Sequence, residues 1–415
     1  MKTPISDYLV EILDAVRADD SGEVASYIPT LAQADPDQLG VAMTTVFGRT
    51  YTAGDADTEF TIQSMSKPFA FAAALWEHGE DDVEKIVGTE PSGEAFNELS
   101  LESGTHRPKN PMINVGALAI HQMIGDPGDS WTVRSDKLVK FFSALAGRQL
   151  RVDEDAFESE IGSAHRNLSI AHMLAAYNMI DTNPEDVVRG YTAQCSILVS
   201  TRDIAMMAAV LAAGGVSPVT GAQVVARPIV RQVLSVMATS GMYDEAGEWF
   251  TEVGIPAKSG VAGGILGALP GQVGLAAFSP RLNDHGNSVR GTALFRRLSN
   301  DMGLHLMDAQ AIGSRALRAV VSEKGRSVIQ IQGPINFTAA EIVVNRLAQT
   351  PPSESSVVFD VSRVGMVNEI GRRMMLEAMR RLNLDGKTVL LYDPENSFPD
   401  PDIGGGVKPE ILSEL

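Results

Sequence analysis

One cysteine in 415 residues, Cys195, excludes an intramolecular disulfide and any cysteine-rich metal cluster. It lies in an apolar run, so a buried, unreactive thiol is the expectation. No stretch of 18 residues is both uncharged and continuously apolar, so no membrane-spanning helix and no membrane partner are expected. The first residues, Met1-Lys2-Thr3-Pro4-Ile5-Ser6-Asp7-Tyr8, lack an apolar core of secretory type, which points to a cytoplasmic chain. Positive charge is scarce. Lys and Arg number 34 against 52 Asp and Glu, a net charge of −18, and no basic cluster reverses it locally. Phosphate backbones would be repelled, so nucleic acid is excluded as a partner. Such a surface suits a soluble acidic protein or one adapted to high salt. The seven histidines show neither H-x-x-x-H nor H-E-x-x-H spacing, so no metal is expected. Gly404-Gly405-Gly406 has no preceding strand pattern and no Walker lysine in register, so no phosphate loop and no cofactor are expected either.

What is present is ordinary globular material, 44% hydrophobic against 21% charged, at a length that favours two domains. Residues 4 to 20 read as an amphipathic helix with Ile5, Leu9, Ile12, Leu13 and Val16 on one side. Strands are expected at 40–47 and 60–63 around a turn at Ala53-Gly54-Asp55. A mostly helical block follows from Ser64 to about Ala213, with a capping box at Ser200-Thr201-Arg202-Asp203. Strand character returns near 257–260 and 274–279. Strands, a helical block, then strands again imply an α+β domain over 1–307, an antiparallel sheet with an inserted helical subdomain. Residues 308–317 read as a linker. Beyond them strand and helix alternate in a small α/β domain, 318–415, whose prolines and triple glycine imply a loose tail from about 396.

Ser64-Met65-Ser66-Lys67 carries the first chemistry. It opens the Ala-, Leu- and Phe-rich helix that Gly79 ends, and a spacing of three puts the hydroxyl and the amine on one helix face. A serine attacks only when a base takes its proton, and a lysine is a base only while neutral, a state that burial favours. S-x-x-K followed later by K-T-G is the signature of serine β-lactamases and penicillin-binding proteins. Here the later element is Lys258-Ser259-Gly260, and no S-D-N triplet occurs.

Several separated motifs together resemble the serine-dependent glutaminases, across about residues 5 to 307. They are Ser26-Tyr27-Ile28-Pro29, Gln63 to Phe69, Asn110 to Ala117, Glu160 with Arg166-Asn167, Tyr191 to Ser196, Ser240-Gly241-Met242-Tyr243, and Lys258 to Gly264. The resemblance implies a β-lactamase/transpeptidase-like fold and an amidohydrolase acting on linear amides. L-glutamine would be the substrate, and L-glutamate and ammonia the products of a glutamyl-serine ester. It implies Ser64 as nucleophile, Lys67 and Tyr243 as proton carriers in an order left open, and backbone N–H groups of Ser64 and Val261 as the oxyanion hole. A zwitterion needs both ends paired: Glu160 suits the α-ammonium, and Asn114, Asn167 and Tyr191 suit the α-carboxylate. Tyr27 and Gln63 would complete the pocket. Read singly, Asn114 could cap a helix, Glu160 could be a surface charge and Tyr191 could be core. The family's habit implies a homo-oligomer.

The last 100 residues resemble a STAS domain, through Val328 to Phe337 and Val357 to Val364. Where that family has a phosphorylated serine in an Asp-Ser-Ser-Gly turn, this chain reads Asn368-Glu369-Ile370-Gly371, so the switch is expected to be absent or permanently acidic. A protein or small-ligand partner for this half is the corresponding expectation. The rival readings are a serine hydrolase of the same fold acting on a β-lactam or a peptide, and an inactive regulatory binding protein. The complete Ser64, Lys67 and Tyr243 set argues against the second.

Overall fold

A computed structural model describes residues 4–93, 99–308 and 316–415. The chain divides into two compact units, Met1–Asp308 and Ala309–Leu415. Of the expected linker, residues 309–315 lie outside the described residues, and Leu317 already opens a strand.

The first unit's strands are β1 (Gly40–Thr45), β2 (Thr50–Gly54), β3 (Phe60–Thr61), β4 (Leu198–Val199), β5 (Ala257–Gly260), β6 (Gly264–Leu269) and β7 (Val273–Phe278). Five of them form an antiparallel sheet ordered β2-β1-β7-β6-β5, while β3 pairs with β4 in a separate ribbon. Successive side chains along a strand face opposite ways, so the sheet needs a cover on each side. On one side Val41, Met43, Ile265 and Leu275 join Leu9, Ile12 and Leu13 of the helix Pro4–Val16 and Leu294, Phe295 and Leu298 of the helix Val289–Met302. On the other, Ala42, Leu266, Ala268 and Ala276 join Ile204, Ala205 and Ala208 of the helix Thr201–Ala212. Gly274 makes that second cover possible: a Cβ there would stand 2.1 Å from Ala209 N and 2.4 Å from Ala205 O. The helix begins at the expected capping box, with Ser200 Oγ and the Asp203 carboxylate each taking the other's backbone N–H. Between β3 and β5 lies the helical block, where Asn114–His121, His165–Ala176 and Pro184–Cys195 close around Val115, Leu118, Ile170, Leu174, Val187 and Val188.

Several local expectations need correction. The first helix ends at Val16, because the polar run Arg17-Ala18-Asp19-Asp20 offers no apolar face to continue it. The first strand ends at Thr45, and the hairpin turns at Gly48 (φ 80°), leaving Phe47 exposed. Its partner is therefore β2, not the segment at 60–63, which pairs with β4 instead. The Gly- and Ala-rich β6 carries no strand-like pattern, yet it is wholly buried within the sheet.

The second unit holds β8 (Leu317–Glu323), β9 (Arg326–Ile335), β10 (Ser356–Val367), β11 (Thr388–Tyr392) and β12 (Glu410–Ile411), ordered β12-β11-β10-β9-β8. Only β8 runs antiparallel to its neighbour. Parallel neighbours need long crossovers, supplied between β9 and β10 by the helix Phe337–Gln349 and between β10 and β11 by Glu369–Leu384. Val343, Met375 and Met379 from these helices pack on Ile329, Ile331, Val357, Phe359 and Leu391. The tail from 396, expected to be loose, is packed. Asp393 takes the backbone N–H groups of Ser397 and Phe398 at 2.8 and 2.7 Å, and Phe398 and Ile403 are buried in the same core. Two apolar anchors outweigh the prolines between them and the triple glycine that follows.

Candidate active site

The site forms where the helical block meets the open edge of β5. After β3 the chain does not enter a helix directly. Gln63 takes φ 49°, and residues Gln63–Ser66 make a tight 3₁₀ turn that runs into the helix Lys67–His78. A side chain with a Cβ pays about 1–3 kcal/mol for such a backbone, so the surroundings must impose it. That turn buries both Ser64 and Lys67. β5 lies alongside: a Cβ at Gly260 would be 3.1 Å from Ile62 O and 3.4 Å from Gln63 Cβ, so the Gly260-Val261 backbone runs beside Gln63-Ser64. Gly263 turns the chain back into β6 at φ 99°, with its N–H on Gly260 O at 2.9 Å.

Lys67 Nζ donates to Asn114 Oδ1 at 2.6 Å, and among the described residues no carboxylate pairs with that amine. Burial, opposed by the nearby Cys195, brings its pKa down to about 7, so the amine is half neutral at neutral pH. Asn114 Oδ1 also accepts from the Tyr191 phenol at 3.5 Å, and Asn114 Nδ2 donates to Asn167 Oδ1 at 3.3 Å. Gln63 Nε2 donates to Glu160 Oε1 and, at 3.2 Å, to Thr61 Oγ1. Burial raises the Glu160 carboxyl to about 7 although this hydrogen bond opposes it. Tyr243 (φ 58°) is buried, with its phenol in hydrogen-bonding reach of Ser64 and 3.4 Å from Ser259 O. Burial holds its proton on more firmly than usual. Tyr27 stands 59% exposed, close enough to Tyr243 and Glu160 to feel both. These contacts gather the expected residues into one locus: Lys67, Asn114, Asn167 and Tyr191 in one chain of hydrogen bonds, Gln63 with Glu160, Tyr243 with Ser64, exposed Tyr27 near Tyr243 and Glu160, and Val261 directly after Gly260, which lies against Gln63. No group of three His, Cys, Asp or Glu among the described residues could hold a metal ion.

Two contributions escape sequence reasoning. Lys258 is fully buried, its Nζ 3.8 Å from the centre of the Tyr243 ring and 2.8 Å from Ser259 O. Burial, reinforced by the like charge of Lys67, holds its pKa well below the ordinary lysine value. The Lys-Ser-Gly element marked this lysine, but nothing in the spacing showed that it would face Tyr243. Beneath the nucleophile turn, Gln194 Nε2 donates to Ser66 Oγ at 2.9 Å and its Oε1 lies 3.0 Å from His121 Nδ1. Burial lowers His121 to about 4, so this brace is neutral, and the adjacent Cys195 thiol is pushed up to about 12.

Known proteins resemble this chain over most of its length. A family model described as Glutaminase matches residues 22–307. A glutaminase of Corynebacterium efficiens is 53% identical over 98% of this chain and 96% of its own length. One of Corynebacterium glutamicum is 51% identical over 96% of each. A crystal structure of Mglu in its tris and glutamate form superposes with a TM-score of 0.91 at 45% identity, over 96% of this chain and all of that one. Mglu in its L-glutamate binding form in the presence of 4.3 M NaCl superposes with a TM-score of 0.90 at 46% identity, over the same shares.

Proposed function

The chain belongs to the glutaminase family and is a glutaminase, and from that premise we propose that it releases ammonia from L-glutamine through a glutamyl ester of Ser64. The observation that carries the proposal is a buried serine in hydrogen-bonding reach of the Tyr243 phenol, on the same turn as a lysine brought down to about 7. Neutral Lys67 accepts the Ser64 proton as Oγ attacks the side-chain amide carbon. The oxyanion so formed takes the backbone N–H groups of Ser64 and Val261. Tyr243 donates a proton to the departing nitrogen, the C–N bond breaks, and ammonia leaves. The phenolate left behind is favoured by the ammonium that Lys67 has become and regains its proton from it. Water then attacks the ester by the same route, restoring Ser64 and releasing L-glutamate.

For recognition, Glu160 as a carboxylate pairs with the substrate α-ammonium. Asn114, Asn167 and Tyr191 take the α-carboxylate, and Gln63 orients Glu160. Tyr27 closes over the mouth. Incubating the protein with free glutamine and trapping the acyl-enzyme by rapid acid quench tests this. Mass added to the peptide carrying Ser64 supports the ester, and turnover without any such adduct in wild type and in a slowed Tyr243→Phe variant rejects it.

We read the second unit as STAS-like. The support is its parallel β-α-β crossovers and the helix start where Asn368 Oδ1 accepts from Gly371 N at 2.8 Å, with exposed Glu369 at the position the resemblance gives to a phosphoserine. A cytoplasmic location and a homo-oligomer belong to the same proposal and rest on the resemblance. Fractionation of cells and sedimentation test them.

A further inference from the structure

Tyr243 keeps a left-handed backbone that a residue with a Cβ holds only when its neighbours impose it. Its phenol and ring contacts secure the far end of the side chain, not the backbone. Behind it, the 3₁₀ turn Tyr243–Glu245 presents two carboxylates to the loop that follows β7. Glu245 accepts from Asn283 Nδ2 on both oxygens, at 3.2 and 3.1 Å, and from Asn287 Nδ2. Asp244 Oδ2 lies 2.8 Å from His285 Nδ1. The loop is closed on itself, because Asn283 Oδ1 accepts the backbone N–H groups of His285 and Asn287 at 3.1 and 3.0 Å. It is also rooted: Asn287 is fully buried, and Ser288 caps the helix Val289–Met302 while donating to Ser279 O at 2.7 Å. The same loop secures the segment that leads to Tyr27, since Leu282 and Glu23 exchange backbone hydrogen bonds at 3.1 and 2.9 Å.

We infer that Glu245, clamped by Asn283 and Asn287, is a positioning residue that sets the direction of the Tyr243 phenol. The inference rests on the proton-carrying role proposed for Tyr243. The amide donors to Glu245 carry no titratable proton; His285, 2.8 Å from Asp244 and 3.9 Å from Glu245, is the ionisable member of the cluster, and its hydrogen bond to Asp244 favours its charged form. Without it the backbone at residue 243 is free to relax to negative φ, and the phenol swings away from Ser64. A misplacement of about 1 Å at a reacting group can cost on the order of a hundredfold in rate. The groups that hold the substrate's α-carboxylate and α-ammonium sit on other elements, so binding is spared.

The test measures ammonia release from glutamine by full-length Glu245→Ala, Glu245→Gln and Asn283→Asp, each alone and combined with Tyr243→Phe. Asn283→Asp keeps an oxygen that closes the loop and puts a carboxylate against Glu245 where the amide donor stood, so it opens the clamp even where Glu245→Ala does not fold. The expected result is a fall in kcat of about 10- to 100-fold for Glu245→Ala and Asn283→Asp with KM within about twofold. Glu245→Gln, which retains an acceptor, should recover part of it. In the Tyr243→Phe background the same changes should cost less than about twofold, because no phenol remains to be aimed. Losses that add in full to that of Tyr243→Phe, losses confined to KM, or unimpaired Glu245→Ala and Asn283→Asp beside an impaired Tyr243→Phe would overturn the clamp alone. An unimpaired Tyr243→Phe would overturn the role of Tyr243 and the inference with it.

Discussion

The two units spend their buried volume differently. The first encloses Ser64, Lys67, Lys258, Gln63, His121 and Gln194 within otherwise apolar surroundings. In the second, the buried polar side chains among the described residues are Ser327 and Asp360. Both units have exposed left-handed residues, His106 and Asn178 among them in the first, but buried ones are found, among the described residues, in the first alone. Gln63 and Tyr243 are buried and left-handed, whereas the second unit's left-handed non-glycine residues, Lys324, Asn396 and Asp400, lie exposed in turns. Burying an ammonium is costly unless it sheds its charge, and both buried lysines are pushed towards neutrality. A fold that needed only stability would fill those positions with apolar side chains, as the second unit does with Ile329, Val357 and Phe359. The chemistry is therefore concentrated in the unit that bears these costs.

The sharpest way to break that contrast is Ser64→Ala. Turnover should fall by about four to six orders of magnitude while glutamine binding, measured calorimetrically, stays close to wild type. Lys67→Ala and Tyr243→Phe should each lower kcat by about 10²- to 10⁴-fold with little change in KM. An effect on KM alone would move either residue from proton transfer to recognition. Glu160→Gln should act the other way, raising KM by about 10- to 100-fold through loss of a charged hydrogen bond to the α-ammonium.

The pH profile sharpens the comparison further. The proposed mechanism uses neutral Lys67 and ionised Glu160, and burial places both near 7, so kcat/KM should decline as pH falls through about 7. The sign is the same for both groups, since each works in its deprotonated form. Glu160→Gln separates them: the acid limb should persist in kcat, which reports Lys67, and vanish from KM. In the second unit, Phe398→Ala should destabilise that unit by about 3–5 kcal/mol by leaving a cavity, seen as a lowered calorimetric transition, with kcat unchanged. The smallest effect is expected from ending the chain after Met307. That boundary keeps buried Leu304 and the Leu306 N–H on Gly254 O, so activity should survive. A soluble, inactive truncated protein would show that the second unit completes the site.

Legibility followed the range of the interactions. The capping box at Ser200, the helix running to Gly79 and the helices of the second unit came from periodicity and caps within a few residues. β6 was missed because Gly264, Gly267 and Ala268 suit close packing and lack strand propensity. The tail was misjudged because Phe398 and Ile403 matter only once a core exists to receive them.

By itself, the sequence determined that one helix turn would carry a serine and a lysine on the same face, that no disulfide could form, and which side chains were chemically able to hold a zwitterion. Tertiary structure alone decided that Lys67 would be drawn towards neutrality, that Asn114, 47 positions away, would accept its hydrogen bond, and that Lys258 would lie over the ring of Tyr243. The reason is physical: spacing along a helix is a local property, whereas desolvation and hydrogen-bond pairing depend on every neighbour the fold brings in.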